Sequence, residues 1–419
     1  MGSFTLITRL RTMDRRLFTI LMIVFVQMVG ASMVNPILPL YAQSEFNLEP
    51  QVITLLLTAF FAAQFVAGPF IGRLSDQYGR LPILIISQIG TVFAFIMIGV
   101  AQSVEILFIA RVLDGITGGN IIVAQAYITD IMSEERRTEA LGYIFAAFGV
   151  GFIVGPALGG ALAGAFGPQI PFLLAAFAAF LTVLLTYFVL EETVTPDMQS
   201  HNRDRNRASL KPAELITNVP LVSVLIVSFI AQFGFGMLIG IFALYSEAVL
   251  FKGFDASTIN LAVGLLLTVF GVTQFITQIA ILPRILKRYT DPMIVIIGLV
   301  LRSISMVFYA IALGPILAGI GSVFFALGSG IMMPPLQSLA TKTVVSELRG
   351  GILGVYQSVI SLAVIFSTAL SGILFSINPT IPFWVGGGLF LISLLPAVFL
   401  WNWSNTHKKV KNEELAVQL

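Results

Sequence analysis

QVITLLLTAFFAAQFVAGPFIGRLSDQYGRLPILIISQIGTVFAFIMIGV, residues 51–100, is the stretch whose reading decides the fold class. Two apolar runs of about 20 residues, each able to cross roughly 30 Å of hydrocarbon as a helix, flank a polar turn at residues 72–80. Such runs recur outward from this pair, from Leu17 to Trp403, and roughly twelve meet the length criterion. The 419 residues are 57% apolar and only 11% charged, with 35 Phe and a mean hydropathy of +0.96, far from the balance of a water-soluble domain. Lipid offers no hydrogen-bond partner to a bare backbone, and these runs are continuous rather than alternating, so helices are expected and a barrel is not.

The expected spans are 17–41, 51–72, 82–101, 105–129, 139–165 and 169–190, then 219–246, 258–282, 292–311, 314–340, 350–375 and 382–403. Residues 191–218 between the two sets hold Glu191, Glu192, Asp197, three Arg, Lys211 and two Pro, and read as a hydrophilic linker. The sequence repeats across it. GPALGG at residues 155–160 answers STALSG at 367–372, 212 residues later, and Gln125 with Gln337 and Thr129 with Thr341 share that offset. The expected fold is therefore an all-α integral membrane protein of twelve transmembrane helices in two pseudo-symmetric six-helix bundles. Its parts are an N-terminal segment 1–16, bundles 17–190 and 219–403 on either side of the linker, and a tail 404–419.

All Lys and Arg but three lie in the N-terminal segment, in alternate loops, in the linker or in the tail, on one side of the expected membrane. The exceptions are Lys252, in an opposite loop, and Arg111 and Arg302, inside spans. The positive-inside rule then puts both termini in the cytoplasm, and short loops with short tails favour an inner (plasma) membrane. The basic N-terminus precedes a run too long for a cleaved signal, so it is read as the first span. The chain has no Cys, which excludes disulfides, thiolate metal sites and cysteine catalysis. Its two histidines, His201 and His407, lie outside the spans, and neither HExxH nor GxSxG occurs. No enzyme activity, cofactor, metal or nucleic-acid partner is expected. The partners expected are the lipid bilayer, a small organic substrate and protons, with a single chain sufficing.

GRLSDQYGR, residues 72–80, resembles the loop signature of the major facilitator superfamily, with Gly72, Asp76, Gly79 and Arg80 matching. That resemblance implies that Asp76 faces the positive end of a helix of the other half, near Arg349, a contact of roughly 0.3 to 2 kcal/mol. It also implies that Arg80 pairs with Asp130 in a latch favouring the outward-open state. FIARVLDGITGG, residues 108–119, resembles the family's conserved-arginine motif. An unpaired Arg in a span costs at least about 2.5 kcal/mol, so Arg111 needs a partner, and Asp114 stands one turn on.

GVGFIVGPALGG, residues 149–160, resembles the antiporter signature of the drug-exporting branch, in which Gly151, Gly155, Pro156, Gly159 and Gly160 allow close helix approach and bending. The run of motifs is most similar to the twelve-span drug:proton antiporters of the tetracycline-efflux type. Where that group has an Asp in the first and ninth spans, this chain has Gln27 and Arg302. Asp114 is the carboxylate well inside a span, with Glu247 near an outer end, and so is the expected proton carrier beside Arg111.

Polar groups expected in a central cavity are Gln27, Asn35, Asn120, Gln125, Gln232 and Gln337, with Phe233, Phe235, Met237 and Tyr245 as adaptable contacts. The function expected is export of small amphipathic organic compounds, such as a drug, siderophore or metabolite, in exchange for protons by alternating access. A facilitator or symporter importing a sugar or other metabolite is the alternative, and a non-transporting membrane receptor a remote one.

Overall fold

The computed structural model describes residues 15–118, 120–132, 134–193, 217–344 and 349–418. Twelve helices in it are long and apolar enough to cross a membrane. Spans 1 to 6 are Arg15–Phe46, Pro50–Ser75, Arg80–Gly99, Val104–Ile128, Gly149–Phe166 and Gln169–Val189. Spans 7 to 12 are Val219–Leu250, Ala256–Ile285, Asp291–Ile311, Pro315–Lys342, Gly354–Ile377 and Ile381–Thr406. No strand occurs among the described residues. Most of the linker, residues 194–216, lies outside them, as do Arg9 and Arg11.

Local chemistry sets the helix ends. Proline opens spans 2, 9, 10 and 12 at the first or second helical position, where its missing N–H would have no intrahelical acceptor. The Asn218 side chain accepts from Leu221 N at 3.1 Å to cap span 7. Asp255 caps span 8, accepting from Thr258 N at 3.0 Å and from the hydroxyls of Ser257 and Thr258. The hydrogen bonds from Ser257 and then Thr258 hold its carboxyl below the usual carboxylate range. Gly79, with φ 105°, is the left-handed joint that lets span 2 turn directly into span 3. Prolines inside spans 1, 2, 5 and 10 and π-helical turns at Ser246–Leu250 and Thr277–Ile281 interrupt the regular ladder, as in helices built to bend.

Packing obeys the sequence repeat. In the first half span 1 packs on span 5, span 2 on span 4, and span 3 on spans 4 and 6. In the second half span 7 packs on span 11, span 8 on span 10, and span 9 on spans 10 and 12. The halves meet mainly through span 5 against span 8 and span 11 against span 2, which are again equivalent pairs.

The halves part toward the end that carries the chain termini, here called the terminal end. On the face of span 11 that meets span 2, Thr368 and Gly372 are buried, Ser361 half-buried, and Ser358 and Gly354 exposed. The facing surface of span 2 changes likewise, from buried Thr54 through half-buried Thr58 and Phe65 to exposed Pro69 and Arg73. The described conformation is thus closed at the far end and open at the terminal end.

Candidate functional site

Far-end closure rests on glycines at equivalent places in the repeat. A Cβ on Gly160 of span 5 would stand 2.5 Å from the Asn260 carbonyl oxygen and 3.2 Å from Gly264 Cα on span 8. Gly372 of span 11, 212 residues on, sits as tightly over span 2, where a Cβ would lie 2.7 Å from Gln51 Cα and 2.8 Å from the Pro50 carbonyl oxygen. Thr58 and Thr368 hydroxyls meet 2.9 Å apart beside this second contact. Backbones so close make closure depend on the missing side chains.

The other face of the same span 5 segment packs within its own half. Gly151, Gly155 and Gly159 meet Met28, Ser32 and Met33 of span 1, and Ser32 Oγ donates to the Gly151 carbonyl at 2.9 Å. In the second half the small residues change sides: Gly236 and Gly240 stand on span 7, against Ser367 and Ser371 of span 11. The antiporter-like segment is therefore a two-sided spacer, joining span 1 on one face and closing against the other half on the next.

Below the far-end closure lies a small apolar cavity between the halves. Ser32, Pro36, Phe152 and Pro156 line it from the first half, and Phe235, Leu238, Phe242, Leu267, Phe270 and Tyr309 from the second. The Tyr309 hydroxyl lies 2.7 Å from Ser322 Oγ, so the few polar groups there are already engaged. Such a lining suits an apolar body and gives a small inorganic ion no ligands.

Two arginines, Arg111 and Arg302, are buried well inside the described spans. Arg111 is 2% exposed, donates from Nη1 to Asp114 Oδ2 at 2.8 Å, and places its Cζ 4.3 Å from the centroid of Phe60 on span 2. Arg302 is 0% exposed and has no such carboxylate partner among the described residues. Its guanidinium packs against both Phe325 and Phe390, 4.3 and 4.6 Å from Cζ to the ring centroids, and Nη2 donates to the Ala231 carbonyl at 2.6 Å. Nε and Nη1 find no acceptor among the described residues. An intramembrane charge costs about 2.5 to 3.5 kcal/mol, and a desolvated cation–π contact offsets about 2 kcal/mol or more of that.

At the terminal end the Arg80 side chain donates from Nε to Asp130 Oδ2 at 2.9 Å and from Nη1 to Ser75 Oγ at 2.7 Å. The Arg80–Asp130 pair is made within one half while the terminal end is open, so the pair alone does not define a state closed there. The side chains of Asp76 and Arg349 lie outside the described residues. Gly72 packs loosely on Ile122 of span 4. One participant has no motif to reveal it. Glu192, at the start of the linker, accepts from the backbone N–H of Arg80 at 2.8 Å and of Leu81 at 3.0 Å, capping span 3 from another part of the chain. Thr193 Oγ1 donates to Asp130 at 3.1 Å and Tyr127 Oη to the Glu191 carbonyl at 3.0 Å, fastening the linker to the loop. Removing the cap with Glu192→Ala should cost about 0.5–2 kcal/mol, read as a lower melting temperature and faster trypsin cleavage between residues 203 and 211.

A model of the Major Facilitator Superfamily matches residues 20–261 and again 252–417. The chain belongs to the major facilitator superfamily. Twelve spans in two halves are the architecture of this facilitator family. The chain is 29% identical over 395 residues to the tetracycline resistance protein, class E, of Escherichia coli, covering 91% of this chain and 94% of that one. It is 25% identical over 381 residues to multidrug resistance protein 2 of Bacillus subtilis (strain 168), covering 88% and 91%. Among solved structures, the nucleoside transporter NupG superposes with a TM-score of 0.77 at 12% identity, covering 92% of this chain and all of that one.

Most of the polar side chains singled out from sequence stand apart from the cavity of this major facilitator superfamily member. Gln27 is buried, with its amide nitrogen lacking an acceptor among the described residues. Gln125 is half-buried, and the amide of Gln232 reaches Met333 Sδ at 3.5 Å. Phe233 packs against Phe229 in a tilted pair with centroids 5.8 Å apart, and Gln337 is exposed on the terminal half of span 10. The side chains of Asn35 and Asn120 lie outside the described residues. Phe235 lines the cavity as expected, but Met237 and Tyr245 do not. Met237 is core, and the Tyr245 hydroxyl donates to the Tyr309 and Ala312 carbonyls at 2.6 and 3.1 Å. The cavity lies near the far end, where the spans contribute aromatic and aliphatic groups, whereas a search by polarity, apart from Asn35 beside the lining residue Pro36, selects residues nearer mid-depth and the terminal half. Only the abundance of Phe hinted at Phe152, Phe242 and Phe270.

Proposed function

We propose that this chain is a secondary transporter that exports small amphipathic organic compounds in exchange for protons, by alternating access between its halves. The observation that carries this reading is the apolar cavity directly beneath a far-end closure built on paired backbones, in a conformation open at the other end. In that geometry cargo entering from the terminal end is stopped at the closure until the halves rock. The placement of Lys and Arg makes the terminal end cytoplasmic, so the movement through this cavity is outward from the inner membrane. The names of the tetracycline and multidrug resistance relatives favour export over uptake.

Gln232 and Gln337 belong to the approach from the cytoplasm in this reading, and Gln27, Asn35, Asn120, Gln125 and Phe233 to its polar margin. The bundle limits 17–190 and 219–403 remain as read from the sequence, and one chain supplies both halves of the machine. Asp114 is the proton carrier, with Arg111 holding its charged form in place. Arg111 leans on Phe60 and Gly115 abuts the Phe60 carbonyl and Ala63, so a change at Asp114 is felt first by span 2, which closes on span 11. The test is flux in proteoliposomes driven by a pH gradient, across a panel of drug-like compounds, for the wild type and Asp114→Asn. Substrate-dependent collapse of the gradient is expected in the wild type and its loss, by about 100-fold or more, in the variant. Flux indifferent to the gradient in the wild type would establish a facilitator instead.

A further inference from the structure

We propose that Arg302 is an anion-binding group of the central site and that the preferred cargo is an organic carboxylate on an apolar, aromatic-sized body. The inference rests on the exporter reading for its cavity and adds the charge of the cargo. Arg111 has Asp114, but Arg302 is wholly buried and, among the described residues, pairs with no carboxylate and keeps Nε and Nη1 without acceptors. The second half is left with a positive charge near the middle of span 9, at the depth where transporters of this architecture meet their substrates.

Geometry narrows the ligand. Phe325 and Phe390 pack against the guanidinium from two directions roughly at right angles, 4.3 and 4.6 Å from Cζ to the centroids with the centroids 6.3 Å apart, so an acceptor would dock on the donors they leave unmatched, Nε and Nη1. A carboxylate pairs with a guanidinium edge through charge-assisted N–H···O bonds. Room for the arginine is built in, because a Cβ on Gly328 would lie 2.8 Å from Arg302 Cγ.

The cavity lies within reach. Tyr309 lines it from the same face of span 9, two turns or about 10 Å along the helix from Arg302. Between them stands Phe325, whose ring centroid is 6.3 Å from that of Phe235 and 6.0 Å from that of Phe270, both lining residues. Turning the Phe325 ring aside would join the charge to the apolar space. A cation in the same cavity would meet no carboxylate in the lining and a repelling charge behind it.

The test uses two probes of one shape and opposite charge, anthracene-9-carboxylate and 9-anthracenylmethylammonium, with the purified full chain. Binding is read by fluorescence and transport by gradient-driven flux in proteoliposomes. The wild type should bind the acid at least about tenfold more tightly than the amine, Arg302→Gln should lose that preference, and Arg302→Lys should keep part of it. Equal or reversed binding in the wild type, or a preference unchanged in Arg302→Gln, would overturn the proposal. If Arg302→Gln does not fold, the wild type against Arg302→Lys still decides. Export of the amine alone leaves the exporter reading standing and removes this one, whereas movement of neither probe nor of any drug-like compound removes both.

Discussion

Leucine at Gly160 should leave the protein unable to close at the far end and reduce transport to a few per cent of wild type. The Gly160 Cβ position is already 2.5 Å from the Asn260 carbonyl oxygen, and the neighbouring atoms are backbone, which cannot swing aside. Overpacking of this kind costs about 1–3 kcal/mol, and here the cost falls only on the conformation in which the two helices touch. An equilibrium between two conformations moves about 5- to 150-fold under such a bias. The folded chain itself should persist, since Gly160 faces span 8 rather than the core of its own half.

Because the natural chain has no cysteine, one placed at Leu267 in the cavity reports access directly. A membrane-impermeant maleimide added from the far side should label it at least about tenfold faster when Gly160→Leu is present. Unchanged labelling with normal flux would show that the closure does not depend on this glycine. Gly372→Leu should act in the same way through span 2.

Arg111→Met should be the most destabilising single change in the first half. It leaves Asp114 in an apolar setting with its ion-pair partner removed, and breaking a buried pair from one side costs about 3–5 kcal/mol. The Phe60 ring loses its cation at the same time. Thermal unfolding of the detergent-solubilised protein is the measurement. The double variant Arg111→Met with Asp114→Leu should recover most of the loss, because it removes both charges and keeps the volume. A single variant as stable as the wild type would mean that Asp114 finds another partner or that water reaches it.

The spans were legible because crossing hydrocarbon imposes a length and forbids an unpaired backbone, and both constraints are written in consecutive residues. The repeat was legible for a related reason: Gly155 to Gly160 and Ser367 to Gly372 occupy matching positions because each must let another helix approach. The pairs Arg111 with Asp114 and Arg80 with Asp130 could be named from spacing and family resemblance.

What escaped sequence reading depends on rotation about helix axes. The chain states that Arg302 needs company in the membrane, but not that two phenylalanines from spans 10 and 12 provide it. The composition supplies 35 Phe and no sign of which few face the cavity. Nor does the sequence place the Glu192 carboxylate at the start of span 3, because the distance along the chain is long and the cap is made by folding.

The glycine closures carry a consequence for how such a chain is assembled. Gly160 sits on the span after the fourth in one half and touches the second span of the other, and Gly372 does the same in reverse. Each half therefore brings one key and one keyhole, the self-complementary arrangement of an isologous dimer. Two identical six-helix chains related by a two-fold axis could close by these same parts, and in them any substitution would strike both flanks at once. Joining the halves in one polypeptide releases that constraint: the flank at Gly160 and the flank at Gly372 can be tuned apart, so a symmetric framework can admit an asymmetric cargo.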